Sequence, residues 1–304
     1  MPKSVAQPLP ASANPAPDVN PARPRRTLLR GALAGSVGLT LGPLLSGCQW
    51  LPRTPTVPMP TLALPGRCPG PAPVLLVMLP GAYSAPEEFI DEGFVAALQA
   101  QGVAADVRIA DAHLGYLRKR SVLDRLHQDV LLPARVAGYR RIWLVGISLG
   151  GFVALGYAAR HAGMVEGVVA LAPYLGRPER LRQIADAGGP LAWRAEARAQ
   201  EPDDLEFDLW QWLAAPPAGA PPVYLGYGTE DRLADGHRLL APLLPRERVS
   251  TVQGGHDWPP WRALWQAWLS RGLLPSACSA PQGLPRLEDS TSRQTVIPVP
   301  SAGW

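Results

Sequence analysis

Ser148 is the residue of this sequence best placed to act as a nucleophile. It is the centre of a G-x-S-x-G pattern over residues 146–150. An apolar run over 142–145 precedes the pattern, and a small-residue, helix-like stretch over 151–160 follows it. A sharp turn from a strand into a helix exposes a serine hydroxyl at the end of a sheet, and the glycines leave room for that turn. The sequence therefore predicts a catalytic serine rather than a serine in an ordinary turn.

An acid and a base follow Ser148 in the order that such a site needs. The strand-like run over 222–227 is followed shortly by Asp231, and the run over 248–252 leads into a Gly-rich loop with His256. The carboxyl ends of parallel strands lie at one edge of a sheet, so these side chains are expected to meet there. A histidine oriented by a carboxylate can take the serine proton, which predicts nucleophilic catalysis.

Three other acids compete with Asp231 for this role. Glu230 precedes it, Asp235 lies four residues further on, and Asp257 neighbours the histidine. Asp231 is favoured because it lies just past the carboxyl end of the strand. The alternative is that Asp231 pairs with Arg232 or caps the following helix.

The other four histidines are weaker candidates for the base. His161 lies at the end of the helix after the serine and is expected to cap it. His127 and His237 lie in helix-like stretches and are expected to be solvated.

His113 and Tyr116 follow the predicted strand over 103–109, at the edge of the sheet where the active site is expected. Both are therefore candidates for substrate binding. No group of His, Cys and Asp residues has the spacing of metal ligands, so no metal is predicted. Nucleophilic catalysis by a serine needs no cofactor, so none is predicted either.

These motifs resemble those of the α/β-hydrolase family, especially its small bacterial esterase-like members. The similarity covers about 72–273 and is carried by the segments 146–150, 228–231 and 255–257. It implies a Ser–His–Asp triad on a mostly parallel sheet covered by helices. It implies no particular substrate, because this fold hosts many chemistries.

The resemblance also implies an oxyanion hole made of two backbone N–H groups. One belongs to the residue after the serine, Leu149, and the other to the loop after the apolar strand 74–79. In that loop the donor is Ala82 or, alternatively, Tyr83. Pro80 stands where the family commonly has a histidine.

The alternation of strand-like and helix-like segments predicts an α/β fold with a doubly wound, mostly parallel sheet of about six strands and helices on both faces. The predicted strands are 74–79, 103–109, 141–146, 165–171, 222–227 and 248–252. The two antiparallel strands that often begin this fold are expected to be missing.

The hydrolase domain is expected over 73–274. Within it, the long connection of about 173–221 predicts a small helical cap, or else one crossover helix with a decorated loop.

The N-terminus has the order of an export signal over residues 1–47. An Arg25-Arg26 pair, typical of a twin-arginine signal, precedes a short apolar stretch and Leu45-Ser46-Gly47-Cys48. This ending resembles a bacterial lipobox, which predicts lipidation of Cys48 and a Pro-rich tether over 48–72. The alternative is a signal cut elsewhere, with Cys48 incidental. Gln49 after the cysteine favours an outer-membrane location.

Charge and cysteine content narrow the function further. Residues 1–47 contain five basic residues and one acidic residue, and the rest of the chain holds 24 of each. No basic patch argues for nucleic-acid binding. Cys68 and Cys278 flank the predicted domain, and an exported protein permits a disulfide between them. A disordered Pro/Ser-rich tail is predicted over 275–304.

The sequence thus predicts an exported, lipid-anchored serine hydrolase that cleaves a small-molecule or lipid-like carboxylic ester at the periplasmic face of the membrane. Thioester hydrolysis, acyl transfer and peptide hydrolysis remain alternatives, because they use the same triad. A cell-envelope binding lipoprotein with a vestigial site is the alternative from another class.

Overall fold

The computed structural model describes residues 53–196 and 204–278, which contain a seven-stranded sheet with helices around it. The strand order is β1-β3-β2-β4-β5-β6-β7. Strand β1 pairs with β3 in the antiparallel sense, and the other five pairings are parallel. The predicted α/β class, with a doubly wound and mostly parallel sheet, is confirmed.

The strands are β1 (Thr61–Leu64), β2 (Val74–Leu79), β3 (Ala105–Ala110), β4 (Arg141–Ile147), β5 (Gly167–Leu171), β6 (Val223–Gly228) and β7 (Val249–Val252). The α-helices are α1 (Glu88–Asp91), α2 (Phe94–Ala100), α3 (Leu114–Arg118), α4 (Val122–Arg125), α5 (Leu132–Val136), α6 (Leu149–Arg160), α7 (Pro178–Asp186), α8 (Pro190–Glu196), α9 (Leu205–Ala214), α10 (Ala234–Leu240) and α11 (Trp258–Ser270). A π-helical segment, Leu126–Leu131, joins α4 to α5.

Strand β2 shows why the sheet has two helical layers. All six of its residues are fully buried, so both faces of the strand are covered. Because successive side chains of a strand point to opposite faces, Leu75 and Val77 enter one hydrophobic cluster while Leu76 and Met78 enter the other. A continuous apolar run is what a central parallel strand requires.

The N-terminal segment contains a strand that the sequence analysis did not predict. Strand β1 pairs along the edge of the sheet, with Thr61 opposite Ala110. Before it, the buried Met59 donates its N–H to Asp129, and Arg53 forms a salt bridge with Asp111. The prediction of a free tether therefore needs correction over residues 53–72, which are part of the domain. The expected start at residue 73 lies too late in the chain.

Cys68 and Cys278 form a disulfide, with their Cα atoms 5.6 Å apart and 210 residues apart in sequence. Nearby, Arg67 donates a hydrogen bond to the carbonyl of Ser276. Residues 275–278, placed by the sequence analysis in a disordered tail, are thus fixed to the domain. The rest of that predicted tail lies outside the described residues.

The described part of the connection between β5 and β6, called the cap below, contains three helices, α7, α8 and α9. A buried salt bridge at 2.6 Å joins Arg180 of α7 to Asp204, whose side chain also caps α9. Trp193 and Trp210 are buried in the same hydrophobic cluster as Leu75 and Val77 of β2, so the cap is packed onto the core.

Four tryptophans of α11, which the sequence places along one helix face, pack toward the sheet. Trp261, Trp265 and Trp268 are buried in the cluster that also holds Leu76, and Trp258 packs against its edge. Among the residues of the two described ranges, no helix is both long and apolar enough to cross a membrane.

Candidate active site

Ser148 lies between β4 and α6 in a strained backbone conformation. Its φ is 53° and its ψ is −114°, a backbone conformation that residues other than glycine rarely adopt. The N–H of Ser148 donates to the carbonyl of Leu171, and its carbonyl accepts from Tyr174, both at 2.9 Å. These bonds to the end of β5 hold the turn in place.

The glycines around Ser148 are required by close approach of the backbone. A Cβ added to Gly150 would lie 1.9 Å from the carbonyl oxygen of Leu79. A Cβ added to Gly146 would lie 2.2 Å from the carbonyl oxygen of Gly150. Distances below 3.0 Å cannot be tolerated without a shift of the backbone. The G-x-S-x-G pattern therefore has a steric cause in this fold.

The structure brings Ser148, His256 and Asp231 together at the carboxyl edge of the sheet. Ser148 Oγ lies 3.0 Å from His256 Nε2. On the other side of the ring, His256 Nδ1 lies 2.9 Å from Asp231 Oδ2 and 3.0 Å from Oδ1. With the carboxylate as acceptor, Nδ1 carries the proton and Nε2 is free to accept the serine proton.

The loops that carry the acid and the histidine are bonded to each other. The N–H of Thr229 donates to the carbonyl of Val252 at 2.8 Å, and that of Glu230 donates to Gly254 at 3.0 Å. Because Thr229 and Glu230 directly precede the acid, these bonds fix Asp231 relative to the histidine loop.

Asp231 is 5% exposed and keeps its negative charge in this environment. Burial alone would raise the pKa of its carboxyl. Hydrogen bonds from His256 and from the N–H of Leu233 outweigh that effect and hold the pKa below its ordinary value. A carboxylate that stays ionised can stabilise a positive charge on the neighbouring imidazole.

The competing acids lie elsewhere. Glu230 is exposed and contacts Gln253 at 3.5 Å. Asp235 pairs with Arg238 on the surface of α10, and Asp257 is the residue before α11. Within the described ranges, the side chain of His256 bonds to Asp231 and Ser148 and to none of these three acids.

A cavity of about 460 Å³ opens beside Ser148. Much of its wall is apolar, and it is lined by Leu114, Leu117, Leu149, Phe152, Leu205 and Leu233 among others. Tyr174, Arg177 and Glu206 bring polar groups to the cap side of the wall.

The predicted oxyanion donors border the same cavity. Ala82, Tyr83 and Leu149 all line it together with Ser148. Leu149 is the first residue of α6, and the first N–H groups of a helix have no acceptor within that helix. Gly81 lies against Ser148, since a Cβ added there would be 3.8 Å from the serine Cβ. The loop after β2 therefore lies beside the nucleophile.

His113 and Tyr116, predicted as substrate-binding residues, are not among the residues that line this cavity, and that prediction needs correction. His113 is buried and accepts the N–H of Gly115 at the start of α3. The Tyr116 hydroxyl donates to the carbonyl of Thr56. Helix α3 turns Leu114 and Leu117 toward the cavity instead, because residues three apart share one face of a helix.

The predictions for the three other histidines have different outcomes. His161 occupies the C-cap position of α6, where its N–H donates to the carbonyl of Tyr157. The expectation that His237 is solvated is wrong: its ring is fully buried, with Nε2 2.9 Å from the carbonyl oxygen of Pro173. His127, also expected to be solvated, is half-buried against the Tyr157 hydroxyl.

Glu206 of the cap is a site residue that the sequence analysis missed. Its carboxylate accepts the Tyr174 hydroxyl at 2.7 Å and contacts Arg177 Nε at 3.4 Å. Burial and the bond to Glu206 raise the pKa of Tyr174, which therefore stays protonated. No local sequence signal distinguishes Glu206 from the other acids of the cap.

Within the described residues, no group of three His, Cys, Asp or Glu side chains is arranged to hold a metal ion.

The model of the alpha/beta hydrolase family matches residues 76–297, which is more than half of the chain. The chain belongs to the α/β-hydrolase family. No curated protein sequence matches it significantly.

Several solved structures share the fold at low sequence identity. The S-formylglutathione hydrolase FrmB of Staphylococcus aureus is 14% identical with a TM-score of 0.50, over 69% of this chain and 91% of that one. Est1E of Butyrivibrio proteoclasticus is 14% identical with a TM-score of 0.49, over 70% and 92%. The fluorophosphonate-binding serine hydrolase FphF of Staphylococcus aureus is 14% identical with a TM-score of 0.47, over 72% and 100%. At such identity the likeness concerns the fold alone.

Proposed function

We propose that this protein is a serine hydrolase that cleaves a carboxylic ester through an acyl-enzyme. One observation carries the proposal: the continuous hydrogen-bonded series from Ser148 Oγ through His256 to Asp231, with contacts of 2.9 to 3.0 Å. Such a series converts a weakly nucleophilic hydroxyl into a reactive one.

In the proposed reaction, Ser148 Oγ attacks the ester carbonyl while its proton passes to His256 Nε2. Asp231 stabilises the imidazolium that forms. His256 then gives the proton to the leaving alcohol, and the same steps with water release the acid. The N–H groups of Leu149 and of Ala82, or of Tyr83 as the alternative, stabilise the oxyanion, and one such donor is typically worth about 3 kcal/mol.

The cavity supports an ester with an apolar acyl or alcohol part. Its volume of about 460 Å³ and its leucine and phenylalanine wall match the dimensions of pockets that bind small organic ligands. The substrate class proposed is therefore a small-molecule or lipid-like ester.

The experiment compares wild type with Ser148→Ala on p-nitrophenyl esters of increasing acyl length and with a fluorophosphonate probe. Wild type is expected to hydrolyse the esters and to be labelled. The variant should do neither and keep its melting temperature, because the change removes one oxygen at a partly exposed position. Ser84→Ala, at a serine of the loop after β2, is the matched control and should be labelled normally. Labelling of the Ser148→Ala variant would refute the proposal.

We further propose that the protein is exported and anchored by lipid at Cys48, which lies outside the described residues. The proposal rests on the twin-arginine-like and lipobox-like segments of the sequence. Stable membrane attachment requires more than one acyl chain or a second signal. Mass spectrometry of the mature N-terminus tests it: a lipidated Cys48 is expected, and an unmodified N-terminus at another residue would refute it.

A further inference from the structure

His237 is a second histidine close to the proposed triad. It lies in α10, which begins three residues after Asp231, and its side chain is fully buried. Its Nε2 atom is 2.9 Å from the carbonyl oxygen of Pro173. The two residues are 64 positions apart, so this contact joins the segment after β6 to the segment after β5.

Pro173 belongs to the backbone that holds the nucleophile. The preceding residue, Ala172, has a φ of 45°, and the following residue, Tyr174, donates its N–H to the carbonyl of Ser148. A Cβ added to Gly151 would lie 2.8 Å from Pro173 Cβ, so Pro173 packs directly on the start of α6. A displacement of Pro173 would therefore be transmitted to Ser148.

The hydrogen bond fixes the tautomer of His237. A carbonyl oxygen can only accept, so Nε2 carries the proton. Nδ1 is buried and has no partner among the described residues, so a second proton there would find no acceptor. Burial has the largest effect on His237 and lowers its pKa to about 4, against the smaller opposing effects of the Pro173 carbonyl and the Asp231 carboxylate. The other titratable groups that act on it are His256 and Arg238. His237 is therefore a neutral hydrogen-bond donor at neutral pH.

Tyr227 is the last residue but one of β6, just before the acid loop, and its ring lies against the His237 ring with the centroids 4.8 Å apart. The acid loop is bonded to the same helix end, since the N–H of Ala234 donates to the carbonyl of Asp231 at 2.9 Å. Thus His237 connects, through one side chain, the backbone that carries the acid and the backbone that carries the nucleophile.

We propose that His237 is a positioning residue that holds the Asp231 loop at a fixed distance from the Ser148 turn. This inference rests on the proposed function. A misplacement of about 1 Å at a catalytic group can lower the rate about a hundredfold. Loss of the Pro173 bond is therefore expected to lower kcat and to leave KM nearly unchanged, because His237 does not line the cavity.

The experiment measures kcat, KM and probe-titrated active sites for wild type, His237→Phe and His237→Gln. Glutamine can place an amide N–H near the position of Nε2, whereas phenylalanine cannot donate. We expect His237→Phe to lower kcat by about ten- to a hundredfold. His237→Gln should recover much of that loss. His127→Phe and His127→Gln are matched controls at a half-buried histidine outside the cavity wall, and both should retain kcat.

Equal kcat per titrated site in His237→Phe and wild type would overturn the inference, as would equal losses in the phenylalanine and glutamine variants. If His237→Phe does not fold, the inference is tested on wild type, in which the imidazole NMR signals show the tautomer of His237. A neutral ring protonated at Nε2 at pH 6 supports the inference, and a proton at Nδ1 overturns it. Absence of both hydrolysis and labelling in wild type refutes the proposed function instead, and the NMR result still tests the His237 contact.

Discussion

Both carboxylate oxygens of Asp231 lie within 3.0 Å of the same nitrogen of His256, at the end of two adjacent parallel strands. This contact fixes the ring orientation and directs the other nitrogen to Ser148. The side chain of Asp231 is 0% exposed and that of His256 is 7% exposed, so water competes little for the hydrogen bond between them.

Asp231→Asn is expected to lower kcat about 10⁴-fold, as loss of an orienting triad acid does elsewhere. The amide can donate to Nδ1, which leaves Nε2 protonated and unable to accept the serine proton. Steady-state hydrolysis of a p-nitrophenyl ester measures the effect. Glu230→Gln is the control at the adjacent exposed acid and should retain near-wild-type kcat. A larger loss in Glu230→Gln than in Asp231→Asn would show that the acid has been assigned wrongly.

Gly150→Ala is expected to lower both activity and the free energy of unfolding, because its Cβ would lie 1.9 Å from the carbonyl oxygen of Leu79. Overpacking of this kind typically costs about 1–3 kcal/mol. Gly156→Ala, in the same helix, is the matched control: its Cβ would meet Leu123 at an ordinary 3.8 Å. The control should gain up to about 1 kcal/mol from helix propensity. Urea unfolding measures both, and equal stability of the two variants would contradict the steric argument.

His237 is expected to make stability depend on pH. Its pKa is lowered from 6.5 to about 4 in the folded protein, so the unfolded chain binds the extra proton between these values. The contribution of His237 to the free energy of unfolding is fully present above pH 6.5 and is lost as the pH falls toward 4. The slope is about 1.4 kcal/mol per pH unit, and the total is about 3 kcal/mol.

Urea unfolding of wild type and His237→Gln at several pH values checks this prediction. The difference between the two free energies of unfolding should narrow as the pH falls. Burial also lowers the pKa values of His113 and His161, but these groups are present in both proteins and cancel. A difference that stays constant across the window would show that His237 is not held neutral in the folded state.

Replacing both Cys68 and Cys278 by alanine is expected to lower the free energy of unfolding. The disulfide closes a loop of 210 residues. Without it the unfolded chain has more conformational entropy, which favours unfolding by up to about 5 kcal/mol. Thermal unfolding of the double variant, and of wild type with and without reductant, measures the effect. Wild type under reducing conditions should resemble the variant. No change in melting temperature on reduction would contradict the prediction.

The sequence by itself determined the parts of the protein that depend on local patterns. The apolar run of β2 needs no partner to be recognised as a buried strand, because six consecutive apolar residues fit a site covered on both faces. The turn at Ser148 was predictable from its local G-x-S-x-G pattern, and the contact that requires Gly146, with the carbonyl of Gly150, lies within four residues of chain. The contact that requires Gly150, with the carbonyl of Leu79 in β2, is a tertiary one. The acid and the histidine followed from the rule that parallel strands end at one edge.

Tertiary structure decided what depends on contacts between distant residues. Strand β1 has a weak pattern of its own, and it is a strand because Thr61–Leu64 bonds to β3 across the edge of the sheet. Packing decides which residues of this segment face the cavity: Leu114 and Leu117 line it, whereas His113 is buried at the start of α3. His237 looks like a surface histidine in its helix, but its ring is buried against Tyr227 and bonded to the carbonyl of Pro173, 64 residues away. Desolvation and long-range hydrogen bonds depend on neighbours that no local pattern specifies.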